Sequence, residues 1–137
     1  MTEPNVSDPE FTNVLATLRD YYDGLYHIDI DKLRRAFSPS ARYATASGGE
    51  LLELALDDYL ERVRRRPAPR DDGTPYGYTV HSVRFAGPVT ALAEVSCSLF
   101  GHDYSDFLAL LRIDGRWRIQ SKVFHGEPHA AAAKGAN

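Results

Sequence analysis

Few side chains in this sequence can move protons near neutral pH, and His81 and His125 lead them. His81 shares strand parity with Val83 and Phe85. Alternation therefore sets it on an apolar face, where an imidazole titrating near neutrality can serve as a general acid or base. The competing reading is a core or rim histidine bonded to a hydroxyl. His125 closes the last extended segment, at the mouth of any cavity behind it; its competing reading is an exposed strand-end residue. Phenols are the other resource, with eight tyrosines against one tryptophan. Tyr21, Tyr22, Tyr26, Tyr43, Tyr59 and Tyr78 can bring several apolar bodies with polar tips to one cavity. Of these, Tyr22, Tyr26 and Tyr59 are expected ligand contacts, together with Cys97, Phe107 and Ser121 from the strands.

Two charged residues interrupt apolar strands. Asp106 is either a pocket acid or a partner for Arg112, Arg116, Arg118 or Lys122. Lys122 falls on the outward parity by strict alternation, and a bulge in its strand would reverse that. Cys97, between Val95 and Leu99, reads as an inert buried thiol, because no base or cation accompanies it in sequence. The basic run from Arg62 to Arg70 is flanked by Asp57, Asp58, Glu61, Asp71 and Asp72. That is a solvated helix end, with positive charge favoured near the C-terminus.

Whole classes of function are excluded by composition. Sixteen basic and 19 acidic residues give a net charge of -3 and no field to attract nucleic acid. The single cysteine excludes an intramolecular disulfide and a cysteine zinc cluster. No H-x-H or H-E-x-x-H spacing and no glycine-rich phosphate loop occurs, so neither a metal nor a nucleotide cofactor is expected. No apolar run approaches the roughly 18 residues of a membrane span. The polar, acidic start is unlike a signal peptide, and the expected location is cytoplasmic.

The elements that must position these residues follow from periodicity. Residues 1–9 read as a flexible leader, 10–126 as one domain and 127–137 as a flexible tail. Ser7 or Asp8 caps a first helix, and Phe11 to Tyr26 repeats apolar residues at three- and four-residue steps. A short helix carries Leu33, Ala36 and Phe37, and a third runs from about Ala55 to Arg66. Ala41–Ala46 and Glu50–Glu53 read as short extended segments. Tyr78–Ala86, Thr90–Phe100, Asp103–Ile113 and Trp117–His125 then read as long strands, with Asp114-Gly115 as a hairpin signal. The predicted fold is α+β: three N-terminal helices packed on a strongly curved antiparallel sheet. Leu108 and Leu110 oppose Phe107 and Ala109 across their strand, so that strand wants cover on both faces. A partner subunit supplies the second cover most cheaply.

Several blocks carry a family resemblance: Tyr21-Tyr22-Asp23-Gly24-Leu25-Tyr26, Ala36-Phe37-Ser38-Pro39-Ser40-Ala41, Asp106-Phe107-Leu108-Ala109-Leu110-Leu111 and Ile113-Asp114-Gly115-Arg116-Trp117-Arg118-Ile119, followed by Lys122-Val123-Phe124. In order and spacing, from about Phe11 to His125, the chain resembles the nuclear transport factor 2-like superfamily. The last two blocks are most like its lumazine-binding branch. The resemblance implies a deep, mostly apolar pocket between a curved sheet and the helices, in a protein that is usually a dimer. Ketosteroid isomerases share this fold. Their oxyanion-donating tyrosine falls on Tyr21, but their general-base aspartate falls on Thr45 and their second acid on Ala109. The resemblance therefore implies the cone without steroid-isomerase chemistry.

Three readings follow. The first is a small-molecule-binding protein with an apolar conical pocket, forming a homodimer and binding neither nucleic acid nor membrane. The second is a cofactor-independent enzyme of the cyclase, dehydratase or isomerase type, with Tyr21 donating to an oxyanion and His81 or His125 moving the proton. The third is an interaction module using the outer sheet face. Turnover abolished by His81→Ala separates the second from the first.

Overall fold

In the computed structural model, which describes residues 8–128, the first helix opens as its sequence dictates. Asp8 accepts a hydrogen bond from the Glu10 amide, and Pro9 occupies the first turn of α1 (Pro9–His27). Val14, Leu18, Tyr21, Tyr22 and Leu25 form its buried face. Asp29 caps α2 (Ile30–Ala36), and Gly24 lets the two helices meet, since a Cβ there would lie 2.7 Å from Leu33 Cγ. The third helix, α3 (Leu56–Arg64), buries Leu56, Tyr59, Leu60 and Val63.

The strands are β1 (Phe37–Thr45), β2 (Leu52–Ala55), β3 (Tyr78–Phe85), β4 (Thr90–Leu99), β5 (His102–Ile113) and β6 (Arg116–Pro128). They form one sheet in the order β2-β1-β6-β5-β4-β3. Every pairing is antiparallel except β1 with β6, which run parallel. β1 begins earlier and β6 ends later than alternation alone suggests. Of the leader expected at 1–9 and the tail expected at 127–137, residues 1–7 and 129–137 lie outside the described residues, whereas Pro9 already belongs to α1 and Glu127 and Pro128 to β6.

Two bulges set which side chains enter the cone. In β3 the register slips between Val80 and Ser82, so Tyr78, Val80 and Val83 oppose the buried face of β4 while His81 turns outward. In β6 Ile119 pairs with Leu110 and Ser121 with Ala109, leaving Gln120 unpaired. The extra residue bends the strand and inverts the alternation beyond it. Trp117 and Ile119 point inward before the bulge, and Lys122 points inward after it. β5 corrects a third expectation. Asp106, Leu108 and Leu110 are its buried set, whereas Phe107 is 55% exposed on the opposite face.

Candidate functional site

Inside the cone, five polar side chains from α1, α3, β5 and β6 form one buried network. Lys122, 4% exposed, donates from Nζ to the Tyr21 hydroxyl at 2.6 Å. The Tyr21 and Tyr59 hydroxyls lie 2.9 Å apart. Tyr22 donates to Asp106 Oδ2 at 2.7 Å, and Asp106 is 2% exposed. Lys122 Nζ stands 3.7 Å from Asp106 Oδ1, close enough for an ion pair and too far for a hydrogen bond. Asp106 Oδ1 has no hydrogen-bond partner among the described residues.

Burying two opposite charges costs on the order of several kcal/mol per ion before their attraction is counted. Aromatic faces offset part of that. The Lys122 ammonium lies 4.8 to 5.7 Å from the ring centroids of Phe124, Tyr21, Tyr43 and Tyr104. Tyr104 can lie flat in this cage because its neighbour across the ladder is Gly126; a Cβ there would sit 2.8 Å from the ring. Tyr43 stacks on Tyr59 at 4.2 Å and Tyr22 on Tyr78 at 4.5 Å.

The network is electrostatically graded. Burial pulls Lys122 towards neutrality, but Asp106, Tyr59, Cys97 and Tyr104 outweigh it and hold the ammonium above its ordinary value. Burial raises Tyr21 and Tyr22 well above the usual phenol range, and the negative charge of Asp106 adds to both. Tyr59 is pushed only to about 12, because Lys122 and the hydrogen bond from Tyr21 counter its burial. Of the three phenols, Tyr59 is therefore the one on which negative charge is best tolerated. Cys97 is raised to about 12, chiefly by burial, and is a poor nucleophile.

Tyr59 and Lys122 line a narrow internal void of about 10 Å³, room for roughly one water, with Tyr43, Arg66, Cys97 and Tyr104 around it. A wide cleft of about 720 Å³ at the β4–β5 hairpin shares Cys97, Leu99, Phe100 and Tyr104 with that void. The cleft and the void thus adjoin along these four residues.

Of the candidate site residues, Tyr21, Tyr22, Tyr59 and Cys97 converge here. Tyr26 lies apart, donating to the Thr74 carbonyl at 2.6 Å and pinning the loop that borders the cleft. His81 is exposed and bonded to Ser96 at 2.7 Å. His125 is exposed beside Glu127 at 3.1 Å. Phe107 and Ser121 belong to the outer face, opposite Val123 and Ala109 respectively. Thr45 donates to the Phe124 carbonyl at 2.6 Å. Ala109 pairs with half-exposed Leu92, so the acid that faces the cone is Asp106. Lys122 was reachable from sequence only through the bulge, and its pairing with Asp106 is one of the options that charge alone offered. Among the described residues no three histidine, cysteine or acidic side chains group to hold a metal, and no helix is long and apolar enough to cross a membrane.

Comparisons with known proteins agree with this architecture. The chain is similar to an NTF2-like protein of unknown function from Methylobacillus flagellatus KT, with TM-score 0.78 and 20% identity, covering 93% of this chain and 99% of that one. An NTF-2 like protein of unknown function from Silicibacter pomeroyi DSS-3 matches with TM-score 0.73 and 24% identity, over 86% and 96% of the two chains. In sequence the chain is 26% identical over 129 residues to Aldolase FrzH of Cladobotryum sp, covering 90% of this chain and 97% of the relative. Residues 9–125 match the family described as "Putative lumazine-binding". The chain belongs to that family and has the NTF2-like fold of a helix-covered, strongly curved sheet.

Proposed function

We propose that this protein is a cofactor-independent enzyme that activates the carbonyl group of a small substrate, in an aldol-type or enolising reaction. The observation that carries the reading is the donor chain from Lys122 through Tyr21 to Tyr59, which ends on the cavity wall. With its oxygen accepting from the ammonium, Tyr21 turns its own proton to Tyr59. The Tyr59 hydroxyl is then free to donate to a carbonyl oxygen. Each bond in such a chain polarises the next. Negative charge grows on that oxygen whether the carbonyl carbon is attacked or its neighbour is deprotonated, and a prepositioned donor in a dry site stabilises it. An aldol addition moves one proton from the donor carbon to the new alkoxide and is redox-neutral. The aldolase among the relatives supports this choice of reaction class.

The test is α-proton exchange in deuterated water, followed by NMR on a panel of ketones and β-hydroxyketones. Exchange above the buffer rate is expected, with Tyr59→Phe lowering kcat by about 10²–10³-fold and leaving KM nearly unchanged. Saturable binding without exchange would instead favour a non-catalytic binding protein. That second reading is supported by the solvent-exposed positions of both histidines.

We also infer a homodimer through the outer sheet face. Phe107 and Val123, 55% and 52% exposed, are paired neighbours on β5 and β6, and Leu92 extends the patch on β4. Apolar contiguity of this kind in mid-sheet favours burial against a second copy. Light scattering on the wild type and on Phe107→Glu should report a dimer and a monomer.

A further inference from the structure

We propose that Phe100 is a door between the wide cleft and the void beside Lys122 and Tyr59, latched by Arg66, and that it selects substrates by size. The size selection rests on the carbonyl-activating reading; the door itself does not. Space poses the problem. Tyr59 is 1% exposed, and the void it borders has room for roughly one water. A carbonyl compound reaches its hydroxyl only when a wall of that void moves. The cleft of about 720 Å³ lies across Cys97, Leu99, Phe100 and Tyr104.

Three of these four are held in the ladder. Cys97 pairs with Tyr78 and Tyr104, Tyr104 also with Gly126, and Leu99 with His102. Phe100 stands outside it. With Gly101 it forms the two-residue turn between β4 and β5, at φ values of 55° and 75°. Turns with two positive φ values favour Asn-Gly, and a bulky side chain at the first position is a costly choice. Such an outlier points to a use for the side chain. Here the ring borders both spaces, its centroid 4.7 Å from the Arg66 guanidinium carbon. The neighbouring Arg64 and Arg65 are exposed and reach back to Glu61, at 3.6 and 3.3 Å. Arg66 instead is half-buried and lines the void. A cation on a ring face is held without a directed hydrogen bond, so the contact opens without stranding one. His102 Nδ1, 3.1 Å from the Phe100 carbonyl, ties the backbone of the turn and leaves the side chain as the moving part.

The chain has one cysteine, and Cys97, 8% exposed, borders both spaces, so a thiol reagent reports on the door without background. Labelling by methyl methanethiosulfonate and by the bulkier dithiobis(nitrobenzoate) is timed in wild type, Arg66→Gln, Phe100→Asn and Arg65→Gln. Arg66→Gln releases the latch and should speed labelling roughly 2- to 30-fold, the worth of one cation–π contact. Phe100→Asn removes the ring and suits the turn. It should speed the bulkier reagent at least as much while keeping or raising the melting temperature. Arg65→Gln should label at the wild-type rate. Equal rates in wild type, Arg66→Gln and Phe100→Asn overturn the door, as does an Arg65→Gln effect matching that of Arg66→Gln. α-Proton exchange on acetone and benzylacetone then separates door from chemistry. Phe100→Asn should favour benzylacetone over acetone in kcat/KM by about 10-fold more than wild type does. Faster labelling with an unchanged preference removes the size selection; faster labelling with no exchange in any variant keeps the door and removes the carbonyl reading.

Discussion

The inner and outer faces of the sheet make polar contacts of similar length from similar residues. Outside, His81 meets Ser96 at 2.7 Å, Ser98 meets Asp103 at 2.6 Å and His125 meets Glu127 at 3.1 Å. Inside, Tyr22 meets Asp106 at 2.7 Å and Lys122 meets Tyr21 at 2.6 Å. What differs is access to water. The outer pairs trade one hydrogen-bond partner for solvent at little net change. The inner groups have no such exchange, so each holds its neighbour's charge state and the cost of stranding a charge there is large. Chemical readiness here follows location rather than residue type, since the imidazoles, intrinsically the better acid–base groups, are on the wet side.

That contrast can be broken most forcefully at Asp106. Asp106→Ala leaves a buried ammonium without its counter-ion and should cost about 3–5 kcal/mol in chemical denaturation. The paired replacement Asp106→Leu with Lys122→Met should recover most of that stability and none of the turnover. A double variant as unstable as the single one would show that the two charges do not act as a pair. Next in size is Tyr59→Phe, with its 10²–10³-fold loss of kcat against only about 1 kcal/mol of stability.

Alkaline titration sharpens the same contrast. Tyr21, Tyr22 and Lys122 have raised values, and Tyr43, Tyr59 and Cys97 are pushed to about 12. Each therefore binds its proton more tightly folded than unfolded. Above the ordinary values of 9.0 for the thiol and 10.0 for the phenols the folded chain holds more protons, and stability falls as pH rises. Thermal melts should stay level up to pH 9 and drop steeply by pH 12. A flat profile across that range would contradict the graded network. The smallest effect is expected at His81→Ala, within about 0.5 kcal/mol of wild type and with unchanged turnover.

Much of the scaffold was legible beforehand, because long periodic segments speak for themselves. The α1 face from Val14 to Leu25 and the Asp114-Gly115 hairpin follow from spacing and turn chemistry. Of the candidate site, Tyr21, Tyr22, Tyr59 and Cys97 could be picked out by residue type and parity, whereas Lys122 does not announce itself. Parity carries through a strand only while the ladder is regular, and bulges at His81 and Gln120 reverse it without any unusual composition. In β5 both faces are apolar, so hydrophobicity could not choose between Phe107 and Leu108. Each face also carries a polar residue, Asp106 inward and Ser105 outward, so polarity did not decide between them either.

Gln120 has one more consequence, which concerns inheritance. Its side chain donates to the Ser40 carbonyl at 3.4 Å and to the Ser40 hydroxyl at 3.2 Å, stitching the bulge to β1. Deleting this one codon would join Ile119 directly to Ser121, and ordinary alternation would still turn Lys122 inward. The kink would go, and with it part of the curl that closes the cone. The depth of the vessel and the identity of its reagent are therefore written in separable places.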